Sequence, residues 1–567
     1  MSKKFVNSPN DVVDDTLYGL VLTNCGLKFH PEINRVILRS DIEEYSKSKV
    51  ALIAGGGSGH EPYAAGYVGE GMLTAAVAGN LFASPPSHYV LSALNATKSS
   101  SGAILIVINY TGDRLHFGLA AERFSGNVKV LTIGDDVAIE NPSNRVGRRG
   151  LAGAVLAIKI AGAMAEQGKS QDEIYNLTKF VADNVATLGV SLYPCNLPGK
   201  RRESHLKEDQ IEIGMGIHGE PGKEKAQYTN AAKIVNDVLE TLKRKCGLQV
   251  GDQLIVMINE LGSVCPIEMS IVSGEVVLWF KTQNMVIKRL YRGPYMTSID
   301  AHGISITVLR SNDELLTYLD YPTKASGWIP AININQFQSA SKPKASSNNI
   351  NIAELRPVGG IGDSDLISKI LSNLGKAMVD SEEKLNNLDG AAGDGDCGST
   401  FVTASKSLEK ARSVLNISHP QTLLQQIALI FEQAVGGTCG ALYALMLSSA
   451  ASCFEKEVKF ENVAEAFKKA TYAVQKYGGA KPGDRTMVDS LDAAVKALSS
   501  YTSSKCQWSK VAQVVEDAAE KTIHQTATVG RASYTSKDAQ TLPDAGATAI
   551  AIWIRVIADT IESHSNL

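Results

Sequence analysis

The chain has 567 residues, which at about 150 residues per domain predicts three or four units or two large ones and excludes a short stapled fold. Its 56 Lys and Arg against 59 Asp and Glu leave a formal charge of −3, so no global basic field exists for nucleic acid or an anionic membrane, and any phosphate must be bound locally. With 44% hydrophobic and 20% charged residues, the composition supports a normal core without disulfides.

The opening MSKKFVNSPNDVVDD turns acidic before an apolar leader forms. No stretch approaches the ~20 apolar residues of a bilayer span, so the expectation is a soluble, cytoplasmic protein. Eight cysteines (Cys25, Cys195, Cys246, Cys265, Cys397, Cys439, Cys453, Cys506) stand singly, without CxxC or zinc-finger spacing. They read as reduced, mostly buried thiols.

From residue 48 to 335, short β-branched runs end abruptly in glycine or polar clusters: VALIA before GGGSGH, AILIVI before NYTGD, VKVLTI before GDD. That rhythm predicts parallel strands with functional loops at their carboxyl ends. Between them, LAGAVLAIKIAGAMAEQG has helical periodicity. QIEIGMGIHG, with apolar residues at Ile211, Ile213, Met215 and Ile217, and QLIVMIN predict further strands, and SLYPCNLPGK (191–200) is a candidate subdomain break. The expectation is an α/β domain of two subdomains over 1–335. Residues 336–357 lose apolar content and gain Ser, Asn, Lys and Pro, as a solvated linker does. From 358 to 567 Ala and Leu recur at helical spacing, predicting an all-α domain.

In LDGAAGDGDCGST, Asp389, Asp394 and Asp396 lie among four glycines. Carboxylates this close repel unless a cation neutralises them, and all-oxygen ligation suits Mg2+ or Ca2+. A single Asp-Gly pair would read as a solvated turn; three acids within eight residues favour a metal. VGGTCGALYALM and YGGAKPGDRTMVDSL each place a glycine-rich turn before a helical run, where backbone N–H groups and the helix dipole attract anions. Alone, each is better explained by helix capping. Together they suggest a nucleotide with its metal, and the absence of GxxxxGK[ST] excludes a P-loop.

In the α/β part, GGGSGHEP sets His60 beyond glycines that let backbone approach a small ligand, and NYTGDRLHFG offers Asp113. A histidine and a carboxylate at neighbouring strand ends suit general-base work on a hydroxyl. GMGIHG matches GxGxxG, but Pro221 and the charged GKEK after it spoil the helix a dinucleotide motif must open. His218 is the informative residue there, as ligand, base or nucleophile toward a carbonyl.

These strings, together with KKFVNS, GYVGEGMLT, GRRGLAG, TLGVSLYPC, GIHGE, YGGAKPGDRTM, GRASY and PDAGA in one order almost end to end, resemble the ATP-dependent dihydroxyacetone kinases, and most closely their animal triokinase and FMN cyclase branch. The resemblance implies a DhaK-type triose-binding α/β domain followed by a DhaL-type helical barrel that binds nucleotide. It implies a covalent hemiaminal between His218 and the triose carbonyl, with His60 and Asp113 orienting the substrate hydroxyl and taking its proton, and Gly56, Gly57, Ser58 and Gly59 lining the triose pocket. Asp389, Asp394 and Asp396 would hold two Mg2+ ions against ATP. Asp396, Cys397, Gly398, Ser399, Thr438, Cys439, Gly478, Arg485, Thr486, Asp544, Ala545 and Gly546 would surround the nucleotide. Two positions depart from the family pattern: Ile108 stands where members usually have Lys, and GGTCG replaces a GGSSG-type loop, so Thr438 keeps a hydroxyl and Cys439 does not.

The implied reaction is phosphorylation of dihydroxyacetone, and of glyceraldehyde, by a homodimer that brings one chain's nucleotide domain to its partner's triose site. A reversible bond to the carbonyl adds affinity for a very small sugar and excludes glycerol. Two alternatives stay open. Animal relatives also split FAD into AMP and cyclic FMN, with Mn2+ or Co2+, and a non-catalytic sensor of triose and nucleotide would use the same folds.

Overall fold

The computed structural model describes residues 3–138, 146–200, 206–220, 222–334, 351–502 and 506–565. The chain divides into two compact units, Met1–Lys342 and Pro343–Leu567.

The first unit contains two six-stranded sheets. One is built from β1 (Leu27–Phe29), β2 (Val36–Arg39), β3 (Ala51–Ser58), β4 (Ala75–Leu81), β5 (Ala103–Ile108) and β6 (Val128–Ile133), in the order β1-β2-β4-β3-β5-β6. β3 pairs parallel with β4 and β5, and β5 with β6, while β1, β2 and β4 pair antiparallel. Every residue of β3 and β5 is buried. Strands with no polar face must lie in the sheet interior, covered on both sides. The pairing of Ala51 with Ala103 through Gly55 with Val107 then brings the loops after these two strands side by side, where open α/β sheets place their ligands.

The second sheet contains β7 (Ala186–Tyr193), β8 (Gln210–Ile213), β9 (Glu224–Gln227), β10 (Gln253–Glu260), β11 (Val286–Gly293) and β12 (His302–Arg310), in the order β11-β10-β12-β7-β8-β9. Here the structure corrects two expectations. The strand read through QIEIGMGIHG stops at Ile213, because Gly214 takes φ +76° with no room for a Cβ, which would sit 2.5 Å from the Ala138 Cβ. Met215 and Ile217 are nonetheless buried, at 4% exposure each, from a loop. The subdomain break also falls earlier than 191–200, since β7 already pairs with β12 over Val190 and Ile304. GMGIHG leads on to β9 and not to a helix, in keeping with its rejection as a dinucleotide motif; Pro221 lies outside the described residues.

The helix Gly153–Glu166 is buried along nearly its whole length. Its residues share one apolar cluster with Leu52 and Ile104 of the first sheet and Ile255, Met257 and Leu309 of the second. Lys159 inside it is satisfied by donating to the Tyr318 and Tyr321 carbonyls at 2.9 and 2.7 Å.

In the second unit the helices are Ser364–Asp380, Glu382–Gly390, Cys397–Ala411, Pro420–Ile430, Gly437–Ala451, Phe460–Gly478, Met487–Ser499, Trp508–Lys521 and Ala545–Ser565, with no strand among the described residues. The apolar stripe Ala466, Ala470, Ala473 and Val474 buries one face of Phe460–Gly478, and Gly479 ends that helix in the left-handed conformation that glycine adopts without strain. The helices surround an apolar cavity of about 920 Å³ lined by Leu371, Phe401, Leu423, Phe431, Met446 and Phe467 among others. Gly437–Phe454 is apolar and long enough to cross a bilayer by length and composition, contrary to expectation. Its Tyr443, Met446 and Ala450 belong to the core of this unit, which accounts for its hydropathy.

Residues 336–350 of the expected linker lie outside the described residues. Its last part is held to the helical unit, with the Ile352 and Leu355 carbonyls accepting from Gln426 and Asn416. The cysteines are all free, but Cys25 and Cys265 are exposed and the other six half-buried, less enclosed than expected. Most sit at loops and helix ends, where the backbone leaves one side open.

Candidate functional site

At the carboxyl end of β3 the chain turns through Gly56 (φ +152°) and Gly59 (φ +102°). A Cβ on Gly56 would lie 3.6 Å from both Asp113 Oδ1 and Ile108 Cδ1, so these two side chains and the Gly56 backbone face one small space. Gly57 is required by packing, because a Cβ there would meet the Ala83 nitrogen at 2.7 Å. The Ser58 hydroxyl donates to the Gly79 carbonyl at 2.9 Å, which turns it toward backbone.

His60 is fully buried, and its Nδ1 lies 2.9 Å from the Thr297 carbonyl oxygen. An N–H on Nδ1 is the state that satisfies this contact, leaving Nε2 with a lone pair and no partner among the described residues. Burial, with the neighbouring His218 adding, lowers its pKa to about 3, so the ring is neutral. It stacks on Phe82 at 5.1 Å and meets His218 edge-on at 4.8 Å. Asp113, in the first turn of the helix Thr111–Arg123, is 2% exposed, and burial raises its carboxyl to about 6 despite opposing contacts from Ser84 and His218. Its Oδ1 has no partner, and neither does the Tyr110 hydroxyl. Unpaired buried polar atoms are costly, and here the loop after β3 and the segment after β5 contribute three of them to one region, with the His60 and Tyr110 rings both against His218. That is the signature of a polar ligand site.

His218 follows β8 on the Gly214–Gly219 loop. Its Nδ1 lies 2.9 Å from Glu220 Oε1, and its ring stands edge-on to Tyr110 at 4.6 Å and Phe82 at 5.3 Å. His60 and His218 from two loops, and Asp113 from the first turn of the helix after β5, are thus grouped around Gly56. Phe82, Tyr110, Glu220 and Thr297 were not singled out in the sequence. Glu220 stands within GIHGE and Tyr110 within NYTGD, so local signals existed; Thr297 contributes only a carbonyl and has none.

In the helical unit, ligand oxygens of Asp389, Asp394 and Asp396 lie within 4.8 Å of one another. Asp389 closes the helix Glu382–Gly390, and its Oδ2 accepts from the amides of Asp396 and Cys397 at 3.0 and 3.3 Å. Asp394 pairs with Arg531, a residue within GRASY that the sequence reading left without a role. The Gly398 and Ser399 amides donate to Asn386 Oδ1 at 2.7 and 3.1 Å, so the start of the helix Cys397–Ala411 is clamped by its neighbour. Gly436 and Gly437 take φ +64° and +58° ahead of Thr438 and Cys439, and a Cβ on either glycine would meet nothing within 4 Å. Burial and the Asp396 and Asp389 charges push the Cys439 thiol up to about 12, and burial and Cys439 push Cys397 up as well. Both thiols are protonated, apolar neighbours of the acids.

Arg485 is 2% exposed, adopts φ +59° and donates to the Leu542 carbonyl at 2.7 Å, while its Nε has no partner. Thr486 caps the helix Met487–Ser499. Burial raises Asp544 to about 6, with Arg485 opposing, and its Oδ2 accepts from Ala547 at the start of the last helix. Gly546 lies beside that carboxylate, 3.1 Å from Oδ2 for a Cβ there; Ala545 opens the helix, and Gly478 sits against Leu442 of the helix bearing Cys439. The acids, both thiols and Asp544 form one electrostatic neighbourhood. Three carboxylates paired, among the described residues, with the single cationic side chain of Arg531 fit a hard divalent cation.

Family models match both units: a Dak1 domain over residues 18–327 and a DAK2 domain over 391–559. Triokinase/FMN cyclase of Homo sapiens is 37% identical over 99% of this chain and 100% of its own. The chain belongs to the dihydroxyacetone kinase family. Another relative is dihydroxyacetone kinase 2 of Saccharomyces cerevisiae, 36% identical over 97% of this chain and 98% of its own. Among solved structures, the dihydroxyacetone kinase of C. freundii in complex with AMP-PNP and Mg2+ is 32% identical, with a TM-score of 0.64 over 99% of this chain and 100% of that one. This family kinase accordingly has the α/β unit followed by a helical unit that the resemblance implied.

Proposed function

We propose that the protein transfers the γ-phosphoryl group of ATP to dihydroxyacetone, and also to glyceraldehyde. One observation carries the reading: neutral His60 and Asp113, whose carboxyl is raised to about 6, are grouped with His218 beside the Gly56 backbone, with His60 Nε2 and Asp113 Oδ1 unpaired among the described residues. Unpaired polar groups around a glycine backbone suit a small hydroxylated carbonyl compound such as a triose. His218 Nε2 attacks the triose carbonyl, while Asp113 accepts the proton of the hydroxyl to be phosphorylated and His60 orients it. A carboxylate with pKa near 6 accepts a proton more readily than an ordinary aspartate and is still ionised at pH 7.

Mg2+ held by Asp389, Asp394 and Asp396 would neutralise charge on the ATP phosphates, which is most of what phosphoryl transfer requires. Arg531, exposed and paired to Asp394, is the cation such a metal complex would displace or recruit to phosphate. Support comes from the relatives' names and from the AMP-PNP and Mg2+ bound by the C. freundii kinase. Ile108 leaves the triose without a lysine donor, so affinity rests on the His218 bond. We propose a homodimer with the triose and nucleotide sites meeting across chains.

A second reading is favoured by the human relative's double name: cleavage of FAD to AMP and cyclic FMN at the same nucleotide site, with Mn2+ or Co2+. Both readings are tested by one preparation assayed for phosphorylated triose and for cyclic FMN under each metal. ADP formation that depends on dihydroxyacetone is the expected result. No ADP above background removes the kinase reading, and the absence of cyclic FMN under every metal removes the lyase.

A further inference from the structure

We infer that Glu220 positions His218 so that Nε2 and not Nδ1 is the nucleophile, and holds the charge that develops on the ring; this rests on the hemiaminal reading above. A neutral imidazole carries one N–H and one lone pair, and the partner of one nitrogen decides which is which. Glu220 Oε1 lies 2.9 Å from His218 Nδ1 and Oε2 lies 3.1 Å from the His218 amide nitrogen. One carboxylate therefore holds both ring and backbone of the same residue, and Nδ1 bears the proton.

The loop around this carboxylate is braced by Arg149, which bonds its Gly214 carbonyl. A Cβ on Gly216 would fall 2.0 Å from Glu220 Oε2 and 2.7 Å from an Arg149 guanidinium nitrogen, so carboxylate and guanidinium converge over a residue that must lack a side chain. Arg149 donates to Asp136 Oδ2 at 2.7 Å and to the Gly214 carbonyl at 2.6 Å. Asp136 is wholly buried and also accepts from the Ala138 amide. A rigid chain thus runs from Asp136 through Arg149 to the loop bearing His218. Although burial opposes it, hydrogen bonding and charge from His218, backbone amides and Arg149 hold the Glu220 carboxyl down at about 2. It stays ionised throughout. His60, Phe82 and Tyr110 flank the ring from other sides and limit its rotation.

In the adduct-forming step the Nε2 lone pair forms a bond to the carbonyl carbon, the C=O π pair moves to oxygen, and that oxygen takes a proton from solvent. The ring then carries a positive charge, paired by ionised Glu220 until Nδ1 releases its proton to solvent, which balances the proton taken by the oxygen. The logic is that of a nucleophile or base whose second nitrogen is oriented by a carboxylate.

The test is 13C NMR of dihydroxyacetone labelled at the carbonyl carbon, mixed with the full-length protein. With the natural protein, bound label moves from a ketone to a tetrahedral carbon. Glu220→Ala is expected to lose that signal and raise KM for dihydroxyacetone by at least about tenfold, with KM for ATP and weak glycerol binding unchanged. Glu220→Gln, whose amide oxygen still accepts from Nδ1–H, is expected to retain a measurable adduct and binding between the two. Should Glu220→Ala fail to fold, by its thermal unfolding, Glu220→Asp replaces it, since a carboxylate one methylene shorter loses the contact and keeps the charge; it is expected to lose the adduct. Adduct formation at natural affinity in the Ala or Asp variant overturns the inference and leaves the hemiaminal intact. Absence of a tetrahedral carbon in the natural protein overturns the hemiaminal itself.

Discussion

In the proposed reaction Asp113 and His60 divide one task, their pKa values driven in opposite directions by the same cause. Burial raises the aspartate to about 6 and lowers the histidine to about 3, because each then favours its uncharged form. Between those values lies the acid limb of activity. The kinase rate should fall as pH drops below about 6, as Asp113 takes up a proton and ceases to act as base, while His60 stays neutral. A pH profile of kcat/KM for dihydroxyacetone checks this, and Asp113→Asn should lower the rate by about 10²–10⁴. The same shift affects stability. An acid whose folded pKa lies above its unfolded value destabilises the fold at pH above about 6, and that cost is relieved as pH falls toward 3.8. Asp113→Asn should therefore be more stable at pH 7, by up to about 2–3 kcal/mol, and thermal unfolding would reveal it. Lower activity with higher stability separates a working residue from a structural one. At this scale the sequence was informative where chemistry is local: His60, Asp113 and His218 all stand beside glycines at strand ends. Thr297 was invisible, being 237 positions from His60 and acting through its backbone.

Apolar runs predicted β3 and β5 because buried parallel strands carry no polar face, and their pairing is what places the two loops together. Period-2 alternation misled beyond Ile213, since Met215 and Ile217 are buried as a strand's would be, and only the left-handed Gly214 marks the end. The break between sheets was misplaced because TLGVSLY is as strand-like as its neighbours, and nothing local says that its partner is β12. Closeness of β3 to β4 has its own requirement. A Cβ on Gly55 would stand 2.1 Å from the Val77 carbonyl oxygen, which backbone in a paired strand cannot relieve. Gly55→Ala should cost about 1–3 kcal/mol, lowering the unfolding temperature of the α/β unit by several degrees. Triose binding should weaken with it, because Gly56 is the next residue, whereas Mg-ATP binding to the helical unit should be unchanged. Equal loss at both sites would mean that the two units do not fold independently.

Each unit carries half of the proposed chemistry. The α/β unit holds the proposed nucleophile and base around Gly56, while the helical unit holds the carboxylate trio and the glycine turns. Composition announced this division, since strand-forming runs give way to Ala and Leu at helical spacing after a Ser- and Asn-rich segment. It gave no information on which copy of one unit serves which copy of the other. In a dimer whose sites meet across chains, a chain with His218→Ala keeps a working helical unit and one with Asp394→Asn keeps a working triose unit. Each homodimer should be inactive as a kinase, because Asp394→Asn removes one of three carboxylates that hold the metal. Co-expressed, the two chains should form mixed dimers in which the sound helical unit meets the sound triose unit once, restoring roughly a quarter of natural activity on random pairing. Were the sites instead completed within a single chain, every chain in the mixture would lack one half and no activity would return. The His218→Ala homodimer should also still split FAD if the lyase shares the nucleotide site, while the Asp394→Asn homodimer should not, so the same two variants report on both reactions.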